Sequence, residues 1–145
     1  MKNIFTLLIF FLSIQIYSQE KRIISITQTP CQFLEMEGKD LGFQSKDESD
    51  CAKINSTLIS ERKKTFQTLK LKSGEYSFRV TNKGVPYEVG FWLRGTGLGR
   101  LLLPGTSGGG LFNGVTKDYT VNLKPGVYKI SCPLNSTPDY DIIVE

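Results

Sequence analysis

A length of 145 residues suits a single domain, and the complete absence of histidine excludes several kinds of active site. Ser-His-Asp and Cys-His catalysis, and zinc or iron sites built on imidazole, all need a residue that this chain lacks. The net charge of +4 is mild and both signs are interspersed, so we expect no nucleic-acid partner.

The chain opens with an apolar segment that is typical of a secretory leader. Lys2 precedes a run from Ile4 to Ile16, which has the length of a signal-peptide core and is too short to span a bilayer. We predict a signal peptide over residues 1–18, cleavage between Ser18 and Gln19, and one domain over residues 19–145. A retained membrane anchor is the alternative. No later segment is long and apolar enough to be a membrane span, so we expect a secreted or periplasmic protein.

Export makes the three cysteines interpretable, because disulfides form in oxidising compartments. Cys31 and Cys51 flank a polar, acidic segment that a disulfide between them would close. In the chain-entropy model such a loop contributes about 3 kcal/mol. Cys132 is then unpaired, although its pairing with either of the other two is left open by the spacing.

Two-residue alternation of apolar and polar side chains recurs along the chain and predicts β-strands. The alternation is clearest over residues 76–80, 119–123 and 128–132. Further strands are expected over residues 22–27, 66–72, 87–94, 100–103 and 140–144, separated by turns that contain Gly or Pro. Seven or eight short strands at this spacing predict an all-β sandwich or barrel.

Two regions depart from this pattern. Residues 37–64 are polar without a clear period and are predicted to form an inserted loop with a short helix after Asn55. The glycine-rich stretch from Gly95 to Gly110 lacks the features of a phosphate loop or a dinucleotide loop, and we expect a long flexible connection. For Leu101-Leu102-Leu103 and Leu111-Phe112 at its borders, we favour core positions over a partner surface.

The acidic residues give little support to catalysis. Glu35 and Glu37, and likewise Asp139 and Asp141, are two apart on predicted strands and therefore share a face. Glycoside hydrolysis uses carboxylate pairs, but solvated strand edges are far more common. The acidic run over residues 47–50 lacks the ligand spacing of an EF-hand. We therefore expect that the protein is not an enzyme.

Two separated segments carry recognisable motifs. Residues 74–91 contain G-x-Y-x-F-x-V-x-N followed by a short turn and a further strand, and residues 123–144 contain P-G-x-Y-x-x-x-C, a loop and a closing strand. In spacing and order they resemble the cupredoxin (plastocyanin-like) family. Residues 29–33 and 132–138 are also similar to exported bacterial cupredoxin-like proteins. The resemblance implies a Greek-key β-sandwich of seven to eight strands with an inserted polar loop.

The resemblance also implies where copper ligands would stand. A blue-copper site needs two imidazole nitrogens, a thiolate and usually a weak axial methionine. The four positions fall on Tyr87, Cys132, Asn135 and Tyr140, so only the cysteine is kept. We expect a degenerate site with no metal and no other cofactor, copper being the minor alternative. Cys132 is then a small buried hydrophobe, and the other three side chains hydrogen-bond among themselves.

These observations predict an exported bacterial binding or interaction module of the cell envelope without a functional type 1 copper centre. Its expected partner is an unidentified protein or small molecule. The alternative is a copper-handling protein that uses Cys132 for Cu(I) binding or electron transfer.

Overall fold

The structure is a computed structural model that describes residues 21–145. The predicted leader and the Ser18–Gln19 junction lie outside the described residues. Nine strands occur within residues 21–145: β1 (Arg22–Thr29), β2 (Gln32–Phe33), β3 (Leu69–Leu71), β4 (Gly74–Asn82), β5 (Val89–Gly95), β6 (Thr106–Leu111), β7 (Thr116–Leu123), β8 (Gly126–Ser131) and β9 (Tyr140–Val144). The α-helices of the same residues are α1 (Leu34–Glu37), α2 (Glu48–Arg62) and α3 (Gly99–Leu102), and 3-10 turns lie at Lys63–Thr65 and Pro133–Asn135.

The strands form two sheets packed as a sandwich, which confirms the predicted fold class. One sheet has the order β2-β1-β4-β7 and the other has the order β3-β9-β8-β5-β6. β1 pairs in parallel with β4, and β3 pairs in parallel with β9, whereas the other neighbours are antiparallel. β4 pairs with β7 while the intervening β5 and β6 belong to the other sheet. The chain therefore crosses between the layers, as a Greek-key sandwich requires.

The core lies between the two sheets and follows the predicted alternation. Tyr76, Phe78 and Val80 of β4 are buried, and Arg79 between them faces solvent. Aromatic rings join the layers, since the ring centroids of Phe78 and Phe91 are 5.5 Å apart. Such contacts between the inner faces of two sheets are the main source of stability in a sandwich.

The inserted region differs from the prediction, because it forms α2 rather than a loop with a short helix. The side chain of Asp47 accepts hydrogen bonds from the backbone N–H groups of Ser49 and Asp50, and so caps the helix at its first turn. Only Cys51 and Arg62 of this 15-residue helix are buried. A helix with so narrow a buried face shows no apolar period in the sequence.

The glycine-rich stretch differs as well. Residues 100–103 were expected as a strand, but the chain from Gly99 to Leu102 forms α3. The glycines that follow belong to β6, which pairs with β5. At Gly108 a Cβ atom would lie 2.9 Å from the Tyr119 ring, so a side chain is excluded from this strand position. None of the helices in the described part of the chain has the length and apolar character needed to cross a bilayer.

Candidate functional site

Cys132 follows β8 and is the one unpaired cysteine of the described residues. Its side chain is fully buried, and its sulfur accepts a hydrogen bond from the backbone N–H of Gly90 at 3.2 Å. Burial raises the pKa of the Cys132 thiol above its ordinary value. The group is therefore a neutral thiol near neutral pH, whereas the species that binds copper and zinc is the thiolate.

The backbone beside this thiol is held from two sides. A Cβ atom at Gly90 would lie 2.6 Å from the carbonyl oxygen of Gly108, so only glycine fits between β5 and β6. The buried Gln28 of β1 donates from its side-chain amide to the carbonyl oxygen of Gly90. The N–H that contacts the sulfur is thus fixed in place by both sheets.

Asn135 occupies the position that the resemblance assigns to the second histidine ligand. It ends the 3-10 turn after Cys132 and is fully buried. Its side-chain oxygen accepts from the backbone N–H of Cys31 at 3.0 Å and from the hydroxyl of Tyr87 at 3.2 Å. Its side-chain nitrogen donates to the carbonyl oxygen of Thr29 at 3.0 Å. The amide is therefore engaged at both ends by the protein itself.

The predicted disulfide between Cys31 and Cys51 is present and lies against this amide. The sulfur of Cys51 is 3.4 Å from the side-chain oxygen of Asn135 and 3.6 Å from the Tyr87 hydroxyl. A disulfide sulfur carries no hydrogen, so these are packing contacts. Ser45 borders these residues, since its hydroxyl lies 3.0 Å from that of Tyr87. We call Tyr87, Asn135 and the Cys31–Cys51 disulfide the closed cluster.

Tyr140 is directed elsewhere, contrary to the expectation that it bonds with Tyr87 and Asn135. Its hydroxyl donates to Glu37 at 2.5 Å and accepts from the backbone N–H of Phe33 at 3.2 Å. Burial raises the pKa of the Tyr140 hydroxyl strongly, and the adjacent Glu37 carboxylate raises it further. The Tyr140 hydroxyl therefore bonds to Glu37 and Phe33 and not to the closed cluster.

A buried ion pair next to Tyr140 was not predicted from the sequence. Arg62, near the end of α2, pairs with Glu37 at the end of α1, and both side chains are almost completely buried. Arg62 also donates to the carbonyl oxygen of Cys31. The pair therefore fastens α2 beside the disulfide. In the sequence, Arg62 is one of several charged residues in a polar segment, and this pattern does not indicate an ion pair.

The other carboxylates singled out in the sequence are likewise engaged, and Glu35 and Glu37 lie on a helix and not on the predicted strand. Glu35 lies in α1 and accepts from the backbone N–H of Thr27. Asp139 pairs with Arg94, and Asp141 pairs with Lys129. The last two line a polar cleft of about 720 Å³ between α2 and the start of β9. Asp139 and Asp141 thus border one cleft, and each is paired with its own cation.

The donor set at the ligand positions does not fit copper. The four positions supply a neutral buried thiol, an amide bonded at both ends and two phenols, and the chain has no imidazole at any position. A neutral amide or phenol is a poor substitute for imidazole. No group of three or more Cys, Asp or Glu side chains within residues 21–145 is arranged to hold a metal ion.

Several apolar side chains lie on the surface instead of in the core. Leu111 is fully buried and Leu103 packs against the core, as favoured from the sequence. Leu101, Leu102 and Phe112 are 87%, 74% and 56% exposed, so the core prediction is wrong for these three. The three leucines differ because Leu101 and Leu102 lie in α3 and face solvent, whereas Leu103 directly follows α3 and packs against the sandwich.

Comparison with solved structures shows that the fold is cupredoxin-like. Auracyanin B matches with a TM-score of 0.53, at 10% identity, over 86% of this chain and 88% of its own. Two amicyanin variants match at TM-scores of 0.43 and 0.44, with 13% and 12% identity, over 85% of this chain and 82% of theirs, scores too low to carry an argument. No family model and no curated protein matches the chain. At these identities the likeness extends to the fold alone.

Proposed function

We propose that the protein is an exported bacterial binding or interaction module of the cell envelope, with a cupredoxin-like fold and no functional type 1 copper centre. The observation that carries this proposal is the closed cluster. Where a copper site needs nitrogen donors facing an ion, Asn135 bonds to Cys31, Thr29 and Tyr87, and a disulfide packs against it. The proposal includes secretion or a periplasmic location, and no enzymatic activity.

Two further features support the proposal, one bearing on a role in binding and the other on export. Leu101 and Leu102 are exposed side by side in α3, and contiguous exposed apolar surface is typical of interaction sites. The disulfide is suited to an oxidising compartment outside the cytoplasm.

The alternative, copper handling through Cys132, is favoured only by the presence of this one free thiol. The thiol is buried and its pKa is raised, and both properties disfavour uptake of Cu(I).

Metal analysis under reducing conditions separates the two functions. The purified wild-type protein and a Cys132→Ser variant are incubated with excess Cu(I), desalted and assayed for copper. We expect less than stoichiometric copper in both, with no difference between them. One copper bound per wild-type molecule and none in the variant would establish copper handling in place of the proposed role.

A further inference from the structure

Three leucine side chains project from one short loop. Leu98, Leu101 and Leu102 are 80%, 87% and 74% exposed, and they lie in or next to α3, which follows β5. Leu103 faces inward, where a Cβ atom on Gly126 would meet its side chain at 2.7 Å. The loop is thus anchored at its base, while its tip presents apolar side chains to solvent.

The strand pairings place this loop at a defined end of the sandwich. β1 begins with Arg22 opposite Tyr76 of β4, and β4 begins with Gly74 opposite Leu123 of β7. The chain then passes from β7 into β8, and β5 ends with Gly95 opposite Tyr128, close to the start of β8. The loop over residues 96–103 therefore shares one end with the turns at residues 72–74 and 124–126 and with the start of β1. We call this the leucine end.

The charge of the leucine end is positive. Five exposed cations are found there: Lys21, Arg22, Lys72, Arg100 and Lys124. Within residues 21–145 none of the five takes part in a salt bridge. The acidic side chains at this end are Glu75 and Glu145, together with Asp139, which pairs with Arg94 and shares a pocket with Arg100. Lys21 and Arg22 donate to the hydroxyls of Thr120 and Tyr76, and Arg100 lies over the Trp92 ring. These neutral partners leave the positive charge uncompensated, and cations near exposed apolar side chains complement a surface that is negative and has an apolar interior.

From these observations we infer that the leucine end docks on the surface of an anionic lipid bilayer. Leu98, Leu101 and Leu102 enter the boundary between headgroups and acyl chains, and the five cations face lipid phosphates. A protein partner is a poorer match, because leucine is under-represented among the residues that dominate protein–protein binding energy. The inference rests on the proposed role as a binding module and specifies what the module binds.

Cosedimentation with vesicles tests the inference. The full chain is expressed with its own leader, the exported protein is purified, and its N-terminus is identified by mass spectrometry. Vesicles of phosphatidylcholine with phosphatidylglycerol are compared with vesicles of phosphatidylcholine alone. The test variant is Leu98→Ser/Leu101→Ser/Leu102→Ser. The control variant, Phe112→Ser/Leu134→Ser, alters exposed apolar side chains at the opposite end of the sandwich.

We expect the wild-type protein to bind the anionic vesicles and its affinity to weaken with added salt. The affinity of the triple leucine variant should be lower by about tenfold or more, and that of the control variant should be unchanged. All variants carry the same N-terminal sequence, so any contribution from residues 1–20 cancels. The inference is overturned if wild-type protein ignores anionic vesicles or if the triple variant binds equally well. It is also overturned if the triple substitution instead splits a dimer in solution, because the leucines would then cover a second copy. Copper content measured on the same samples reports separately on the proposed function.

Discussion

Asn135 illustrates how one side chain closes a ligand position. Its amide makes three hydrogen bonds to buried or half-buried protein groups, and these bonds replace the water that the amide loses on folding. To turn this side chain toward an ion, the N–H of Cys31 and the carbonyl of Thr29 would have to be left unpaired. The closed cluster is therefore a structural element of the fold.

Replacing Asn135 tests this structural role. We expect Asn135→Ala to lower the free energy of unfolding by about 2–4 kcal/mol, because it leaves a buried donor and a buried acceptor without partners. Tyr87→Phe is the matched control. It removes the hydrogen bonds of a half-buried hydroxyl with the side chains of Asn135 and Ser45 but leaves no backbone group unpaired, and it is expected to cost about 0.5–1.5 kcal/mol. Urea unfolding at neutral pH measures both, and equal losses in the two variants would contradict the role assigned to Asn135.

The contact between Tyr87 and Asn135 was accessible from the sequence, but the placement of Tyr140 was not. Motif spacing brings Tyr87 and Asn135 to one end of the sandwich through β5 and β8. The partner of Tyr140 is Glu37, which lies 103 residues away and belongs to a region without a readable pattern. Long-range polar contacts of this kind leave no periodic signal, because each depends on a single side chain.

Helix α2 depends on a few specific attachments more than on an apolar face. Its buried residues are Cys51, in the disulfide, and Arg62, in the ion pair with Glu37. Asn55 adds a hydrogen bond to the carbonyl oxygen of Ser136. An element held in this way separates from the rest of the fold when one attachment is cut.

We therefore expect Cys31→Ser/Cys51→Ser to release α2 while the sandwich stays folded. The chain-entropy model gives a loss of about 3 kcal/mol in the free energy of unfolding. Hydrogen exchange of the α2 amides should become fast, whereas amides of β4, β5 and β8 keep their protection. Cys132→Ala serves as the control for loss of a buried sulfur. Unchanged exchange in α2 of the double variant would show that the disulfide does not hold the helix.

Strands were predicted well where one face is buried, and poorly where glycine replaces the alternating side chains. β4 and β7 follow the apolar rows read from the sequence. Half of β6 is glycine, and Tyr119 and Glu88 crowd two of these positions, so the strand character of β6 is set by the neighbouring side chains. The leucines of α3 resemble a buried strand in composition, and only the tertiary structure shows that they face solvent.

Across the whole domain, buried phenols and one buried thiol link stability to pH. Burial raises the pKa of Tyr87, Tyr119, Tyr128, Tyr140 and Cys132. Each group is therefore protonated in the folded protein at pH values where it ionises in the unfolded chain. The stability that this contributes is fully present below the unfolded pKa values and is lost as the pH rises above them.

We expect the free energy of unfolding to fall from about pH 9 upward, and most steeply above about pH 10, where the phenols are ionised in the unfolded chain but still protonated in the folded protein. Urea unfolding at a series of pH values measures this slope. Tyr128→Phe removes one of the shifted groups and should make the slope shallower. A stability that stays constant or rises through this alkaline range would contradict the assignment of these tyrosines as buried acids.

The central claim is that a cupredoxin-like sandwich here holds a closed cluster where a copper centre would need open ligands. Addition of Cu(II) to the purified protein, followed by visible absorption and voltammetry, tests it most directly. The account predicts no intense band at about 600 nm and identical spectra for wild type and Cys132→Ser. A deep blue protein that cycles reversibly between Cu(II) and Cu(I), and loses its colour in the serine variant, would contradict the account.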